Sequence, residues 1–312
     1  MAVAMNVRQS PSSASASLVT CADSVIATGE QQLGGKAMGL AKLVVAGARV
    51  PPWFSITADE FVRHLARAGM LDRIRARLSE LAEAPQLDQV SVTEMQRWVT
   101  SLTLDSDFIA SVEDALQTIG PGPFAVRSSM VGEDSTSFSF AGQLESFLYQ
   151  RTLADVVDAV RACWASCLAS RVLVYRQRAG LGGSLPRIGV VVQRMIGGRV
   201  SGVAFSAHPV TGVRNHVLIT AAWGLGEAVV SGHCNADDYT CTHDGDEVNA
   251  IIANKDVALV AAESDATGTR EVITANPGCM LQIEQGLKSQ GTPGSVRHVV
   301  DILDEAYGLE GT

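Results

Sequence analysis

Three side chains stand where they could do chemistry on a phosphorylated ligand: Lys36 in "QLGGKAMGL" (residues 32–40), Arg127 in "FAVRSS" and Glu227 in "WGLGEAVVSG". Lys36 follows two glycines and precedes helix formers, so a tight Gly34–Gly35 turn brings backbone close to a ligand. The lysine then sits at a helix entrance, where the amide dipoles add to its field. The stretch is not a P-loop, because Glu30 stands where the first glycine belongs and Ala37 where a magnesium-binding hydroxyl belongs. What remains is an anion site, with a glycine turn beside a solvated lysine as the alternative. Arg127 joins a strand to a segment crowded with Ser, Gly and Thr. Its planar fork suits phosphate, and a structural salt bridge is the alternative. Glu227 follows a strand and two glycines. It is not part of a dinucleotide fingerprint, since Val229 stands three residues after Gly226.

The elements that must position these groups are legible from periodicity. "TADEFVRHLARAGMLDRIRARLSEL" opens with a Thr57–Glu60 capping box and carries Phe61 and Leu65 at helical spacing. Phe108, Val112 and Leu116 mark another helix, as do Val156, Val157, Val160, Trp164 and Leu168. After residue 187 the texture changes to "IGVVVQRMI", "RVSGVAFS" and "NHVLITAAW", β-branched runs separated by glycine turns. The expected fold is α/β (α+β), helix-rich first and sheet-rich second. Residues 1–26, rich in Ser and Ala, are expected to be a disordered tail.

Composition narrows the function. A chain of 312 residues with 46% hydrophobic residues buries a substantial core in one large domain or two lobes. A net charge of −9 without a basic run argues against nucleic acid. No run of about 18 apolar residues points to a membrane span, and the absence of a continuous apolar h-region argues against a secretory signal. Six cysteines without a CxxC fit free thiols in a reducing, cytoplasmic setting. His233, Cys234, Cys241 and His243 have the chemistry for zinc, but "DDYTCTHDGDEV" reads as a hairpin turning at Asp244–Gly245.

Taken in order, "GGKAMGL", "VPPWFSIT", "FAVRSS", "EDSTSFSFAGQLESFL", "VVVQRMI", "SGVAFSAHPVTG", "WGLGEAVVSG" and "NADDYT" resemble the N-terminal ATP-grasp domain shared by phosphoenolpyruvate synthase, pyruvate phosphate dikinase and rifampicin phosphotransferase. The resemblance runs from about Leu33 to the end. It implies two lobes, 27–196 and 197–312, with the nucleotide between them and with ATP and Mg2+ as cofactors. Lys36 and Arg127 would hold the triphosphate and assist catalysis, and Gly142 and Ser146 would lie in or just after a phosphate-covering loop. Gln193 would stand in the segment joining the lobes, where the backbone of 194–196 meets adenine. Met195 would pack near adenine, although it reads equally well as a core filler. Glu227 would face the ribose side.

The resemblance also implies the activity: a dikinase-type phosphotransferase that converts ATP to AMP and passes the β-phosphate through a phospho-histidine to an acceptor, foremost pyruvate. The alternatives are a rifampicin-type antibiotic phosphotransferase and a non-catalytic ATP-binding module. The phospho-histidine and acceptor domains would lie in cis or on a second chain. This sequence departs from the family in "SSMVGEDS" and at His208, and it stops at Thr312, where relatives continue into a "QDIEW" strand. The resemblance therefore places the family's magnesium-binding glutamate beyond Thr312. On that basis the sequence is expected to be C-terminally truncated relative to the family and to carry no metal ligand of its own, and the isolated chain is expected to be inactive. Val299, Ile302, Leu303 and Tyr307 read as a closing helix.

Overall fold

The computed structural model describes residues 18–19, 22–84, 86–131, 134–135, 138–139, 145–207, 212, 214, 216–232, 234–242, 248–254, 270–274 and 294–298. In chain order the first unit contains β1 (Leu18–Val19), α1 (Ala22–Thr28), α2 (Glu30–Val45), β2 (Trp53–Ile56), α3 (Ala58–Arg67), α4 (Leu71–Glu83), α5 (Gln89–Thr100) and α6 (Ser106–Ile119). It continues through β3 (Phe124–Met130), β4 (Asp134–Ser135), β5 (Phe138–Ser139), β6 (Ser146–Gln150), α7 (Leu153–Ser166), α8 (Ser170–Arg178) and β7 (Ile188–Arg194). The second unit, from Ile196 onward, holds β8 (Val200–Phe205), β9 (His216–Trp223), α9 (Gly226–Ser231), β10 (Asp237–Thr242), β11 (Val248–Ile251), β12 (Arg270–Thr274) and β13 (Gly294–His298).

The first unit is built on an antiparallel sheet of order β1-β2-β7-β3-β6. Its central strand, β7, is buried on both faces. Ile188, Val190 and Val192 join a large core with Phe61, Phe108, Val112, Val160 and Trp164 of the α3–α8 layer. Val191 points the other way, into a smaller core with Leu33, Ala37 and Ala41 of α2. Strand alternation thus places one helix layer on each side. The apolar stripes of α3 and α6 lie where their spacing predicts, and that of α7 does so as far as Trp164; Leu168 is buried but lies in the turn after α7 ends at Ser166.

Two expectations are corrected in this unit. Residues 18–19 and 22–26 of the expected 1–26 tail are not tail: β1 pairs with Ile56 and Ser55, and Val19 and Val25 are buried in the smaller core. Two apolar side chains in the right places outweigh a Ser/Ala-rich composition. The Thr57–Glu60 capping box does not form, since Thr57 makes no side-chain cap bond. Glu60 is instead drawn to the Arg63 guanidinium, and its carboxylate lies 3.1 Å from His64 Nδ1.

The second unit carries an antiparallel sheet of order β11-β10-β9-β8 and a parallel β12-β13 pair. The β10–β11 hairpin is present, while its turn at Asp244–Gly245 lies outside the described residues. His208, His233, His243 and the proposed helix through Val299, Ile302, Leu303 and Tyr307 also lie outside them. So does Thr312, the residue beyond which a magnesium-binding glutamate is expected; the last described residue is His298. Among the described residues no helix is long and apolar enough to cross a membrane.

Candidate functional site

The glycine pair of "GGKAMGL" breaks α2. Gly34 has φ 76° and ψ 174° inside an otherwise helical run, so the helix restarts immediately before Lys36. The break is seated on β3: a Cβ at Gly34 would stand 2.2 Å from the Ser129 carbonyl oxygen and 2.6 Å from its Oγ. A second close approach lies alongside, where a Cβ at Gly189 of β7 would meet the Leu33 carbonyl oxygen at 2.7 Å. Only glycine permits both the conformation and the contact at Gly34. Ser129 Oγ in turn accepts the Ala37 N–H at 3.3 Å, satisfying one of the amides that a helix start cannot satisfy internally.

The strand register then brings the cations together. Antiparallel partners share a face, so Ser146, Arg127 and Val191 form one row, and Ala125, Gln193 and Trp53 another. Val191 and Trp53 belong to the α2 core, which places Arg127, Ser146 and Gln193 on the α2 face. Ser129 lies two residues beyond Arg127 on the same strand and face, about 6.6 Å along it. The restarted helix carrying Lys36 is therefore docked one such step from Arg127. Lys36 and Arg127 are half-buried, and among the described residues the Arg127 guanidinium has no ion-pair partner.

Ser146 is exposed at the start of β6, and Gly142 lies outside the described residues. Gln193 is inside β7, with its amide donated to the Pro51 carbonyl at 3.3 Å. Met195 follows β7 as the last residue of the first unit, half-buried. Glu227 is exposed in the first turn of α9 and belongs to the second unit. Of the possible zinc ligands, Cys241 is in β10 and Cys234 precedes it.

Sequence reasoning missed the two serines of "FAVRSS". Both are fully buried. Ser128 Oγ donates to the Glu145 carbonyl at 2.7 Å, and Ser128 N–H to the same oxygen at 3.3 Å, so it pins the chain where it enters β6. Ser129 pins the start of the helix. Also missed was the network fastening the first part of α2. Arg187 Nη2 donates to Asp59 Oδ1 at 2.6 Å and to Gln32 Oε1 at 3.2 Å, and Gln32 Nε2 donates to Asp59 Oδ2 at 2.7 Å. The only available signal was polar residues standing in otherwise apolar strand and helix patterns.

Residues 30–298 match the family model described as "Pyruvate phosphate dikinase, AMP/ATP-binding domain". Similar curated proteins include a Streptomyces rifampicin phosphotransferase, 38% identical over 81% of this chain and 29% of its own length. The phosphoenolpyruvate synthase of Pyrococcus furiosus is 32% identical over 76% of this chain and 34% of its own. That of Aeropyrum pernix is 33% identical over 73% and 29%. The chain thus spans about a third of the length of these relatives.

Proposed function

Because the chain belongs to the pyruvate phosphate dikinase AMP/ATP-binding domain family, we propose that it binds ATP through Lys36, Arg127 and the restarted end of α2. We propose further that it serves a dikinase-type reaction in which ATP yields AMP, the β-phosphate travels through a histidine on another domain, in cis or on a second chain, to pyruvate, and the γ-phosphate is released to water or to inorganic phosphate. The observation that carries the binding reading is the docking of the Gly34 break on Ser129, which sets a helix start and a lysine one strand step from an arginine without a described ion-pair partner. Preorganised cations and amides of this kind stabilise charge on a transferring phosphoryl group, while the nucleophile is the histidine of the other domain.

The ATP-grasp reading of the fold, with lobes at 27–196 and 197–312, belongs to this proposal, as do the roles of Gly142, Ser146, Gln193, Met195 and Glu227 and a cytoplasmic setting. Magnesium would arrive as the counter-ion of ATP, and a protein carboxylate for it beyond Thr312 is part of the same proposal. Among the described residues no three His, Cys, Asp or Glu side chains converge on a metal position. An antibiotic acceptor is the second reading, favoured by the 38% identity to a rifampicin phosphotransferase.

The test is calorimetry of ATP binding to the wild-type chain, Lys36→Ala and Arg127→Ala. Each variant is expected to weaken binding by about 1.5–3 kcal/mol, the range for hydrogen bonds to charged groups. Unchanged affinity in both folded variants refutes the assignment.

A further inference from the structure

Among the described residues Tyr149 is the only non-glycine with a positive φ, at 60°. An aromatic residue avoids this region, so its surroundings must hold it there. The register of β6 supplies the cause. Phe124 pairs with Gln150 and Val126 with Phe147, so two residues of β6, Leu148 and Tyr149, stand opposite one residue of β3, Ala125. This is a β-bulge, a device that re-aims a backbone group. The Gln150 amide braces it by donating to the Leu148 carbonyl at 2.7 Å.

The re-aimed group is the Tyr149 N–H, which donates to Met195 Sδ at 3.2 Å. Met195 is also held through its backbone, its N–H donating to the Pro123 carbonyl at 2.9 Å. A methionine normally wanders over three rotatable bonds. Here the main chain is tied beside β3 and the sulfur is tied to β6. The fixed side chain follows Gln193 by two residues, at the end of the sheet beyond the row containing Ala125, so it lies on the far side of Arg127 from the Gly34 break.

We infer that the Tyr149 bulge is a positioning device that fixes the Met195 thioether as a platform for the planar base of a nucleotide whose phosphates are held at Lys36 and Arg127. The inference rests on the ATP-binding reading. The role belongs to the Tyr149 backbone and the Met195 sulfur, not to the phenol ring. A thioether gains from contact with an aromatic ring, and one already fixed forfeits less conformational freedom on binding.

The test compares the full 312-residue chain with Met195→Leu, Tyr149→Val, Tyr149→Gly and the Met195→Leu/Tyr149→Val pair, titrating each with ATP and with inorganic tripolyphosphate. Leucine keeps the bulk and removes the acceptor. Valine resists positive φ and turns the N–H away, whereas glycine accepts it and keeps the donor. Met195→Leu and Tyr149→Val should each weaken ATP binding about threefold to tenfold, the effect of one modest hydrogen bond. Tripolyphosphate binding should stay unchanged, Tyr149→Gly should match wild type, and the double variant should be no worse than either single one. If Tyr149→Val fails to fold, Met195→Leu and Tyr149→Gly decide the matter alone. Unchanged ATP affinity in Met195→Leu, parallel losses for ATP and tripolyphosphate, or a loss in Tyr149→Gly overturns the clamp. Wild-type ATP binding no tighter than tripolyphosphate overturns it while leaving the anion site, and binding of neither ligand overturns the proposed function as well.

Discussion

Replacing Gly34 with alanine should damage both the first unit and its anion site. At φ 76° and ψ 174° the backbone occupies a region essentially reserved for glycine, and a side chain there costs about 1–3 kcal/mol. The new Cβ would also stand 2.2 Å from the Ser129 carbonyl oxygen and 2.5 Å from its carbon. Those atoms belong to an interior strand paired on both sides, with β7 and β6, so they cannot swing away as a flexible side chain would. Such overpacking costs about 1–3 kcal/mol more. The total expected is therefore about 2–6 kcal/mol. If the helix relieves the clash by lifting, Ala37 N–H leaves Ser129 Oγ and ATP affinity falls as well. The control lies in the same helix: at Gly39 a Cβ meets nothing within 4 Å, so Gly39→Ala should gain about 0.5–1 kcal/mol. Urea unfolding followed by tryptophan fluorescence, to which the buried Trp164 of the first unit contributes, measures both variants. A Gly34→Ala protein within about 0.5 kcal/mol of wild type, the scatter of neutral substitutions, would show that the contact with Ser129 does not define the turn.

Ser128→Ala should cost about 1–2 kcal/mol by removing the 2.7 Å bond to Glu145 and should increase hydrogen exchange at the start of β6; unchanged exchange there would refute its pinning role. Burial pushes the thiols of Cys163 and Cys167 up, the latter to about 12, so both should resist thiol reagents in the native chain at pH 8 and react after denaturation. The unfolded thiols release protons first, so these groups should make stability fall as pH rises from about 9 towards 12, and Cys167→Ala should flatten that fall in alkaline denaturation curves.

What could be read before folding was whatever is written in local period and local backbone demand. The stripe Phe108, Val112, Leu116 specifies a helix by itself, and two consecutive glycines before Lys36 announce a break because no other residue tolerates one so cheaply. The register that unites Arg127, Ser146 and Gln193 on one face is not local. It depends on the pairing of β3 with β6, which follows only after β4 and β5, and with β7, which follows after two further helices. The capping box failed for a related reason: Glu60 has better partners in Arg63 and His64 than in the helix start, and a rule that sees four residues does not weigh buried neighbours. Tyr149 is the extreme case, since nothing about a tyrosine in "SFLYQ" announces a positive φ, which arises only because β6 carries one residue more than β3 can pair. The same physics explains why Ser128 and Ser129 escaped notice. Their hydroxyls serve main-chain groups 17 and 92 residues away, yet those bonds fasten the entry to β6 and a helix start to the strand bearing Arg127. A cation recruited to hold a polyanion works only as well as its position is fixed. In "FAVRSS" the arginine is therefore the part that meets the ligand, and the serines are the part that makes the meeting reproducible.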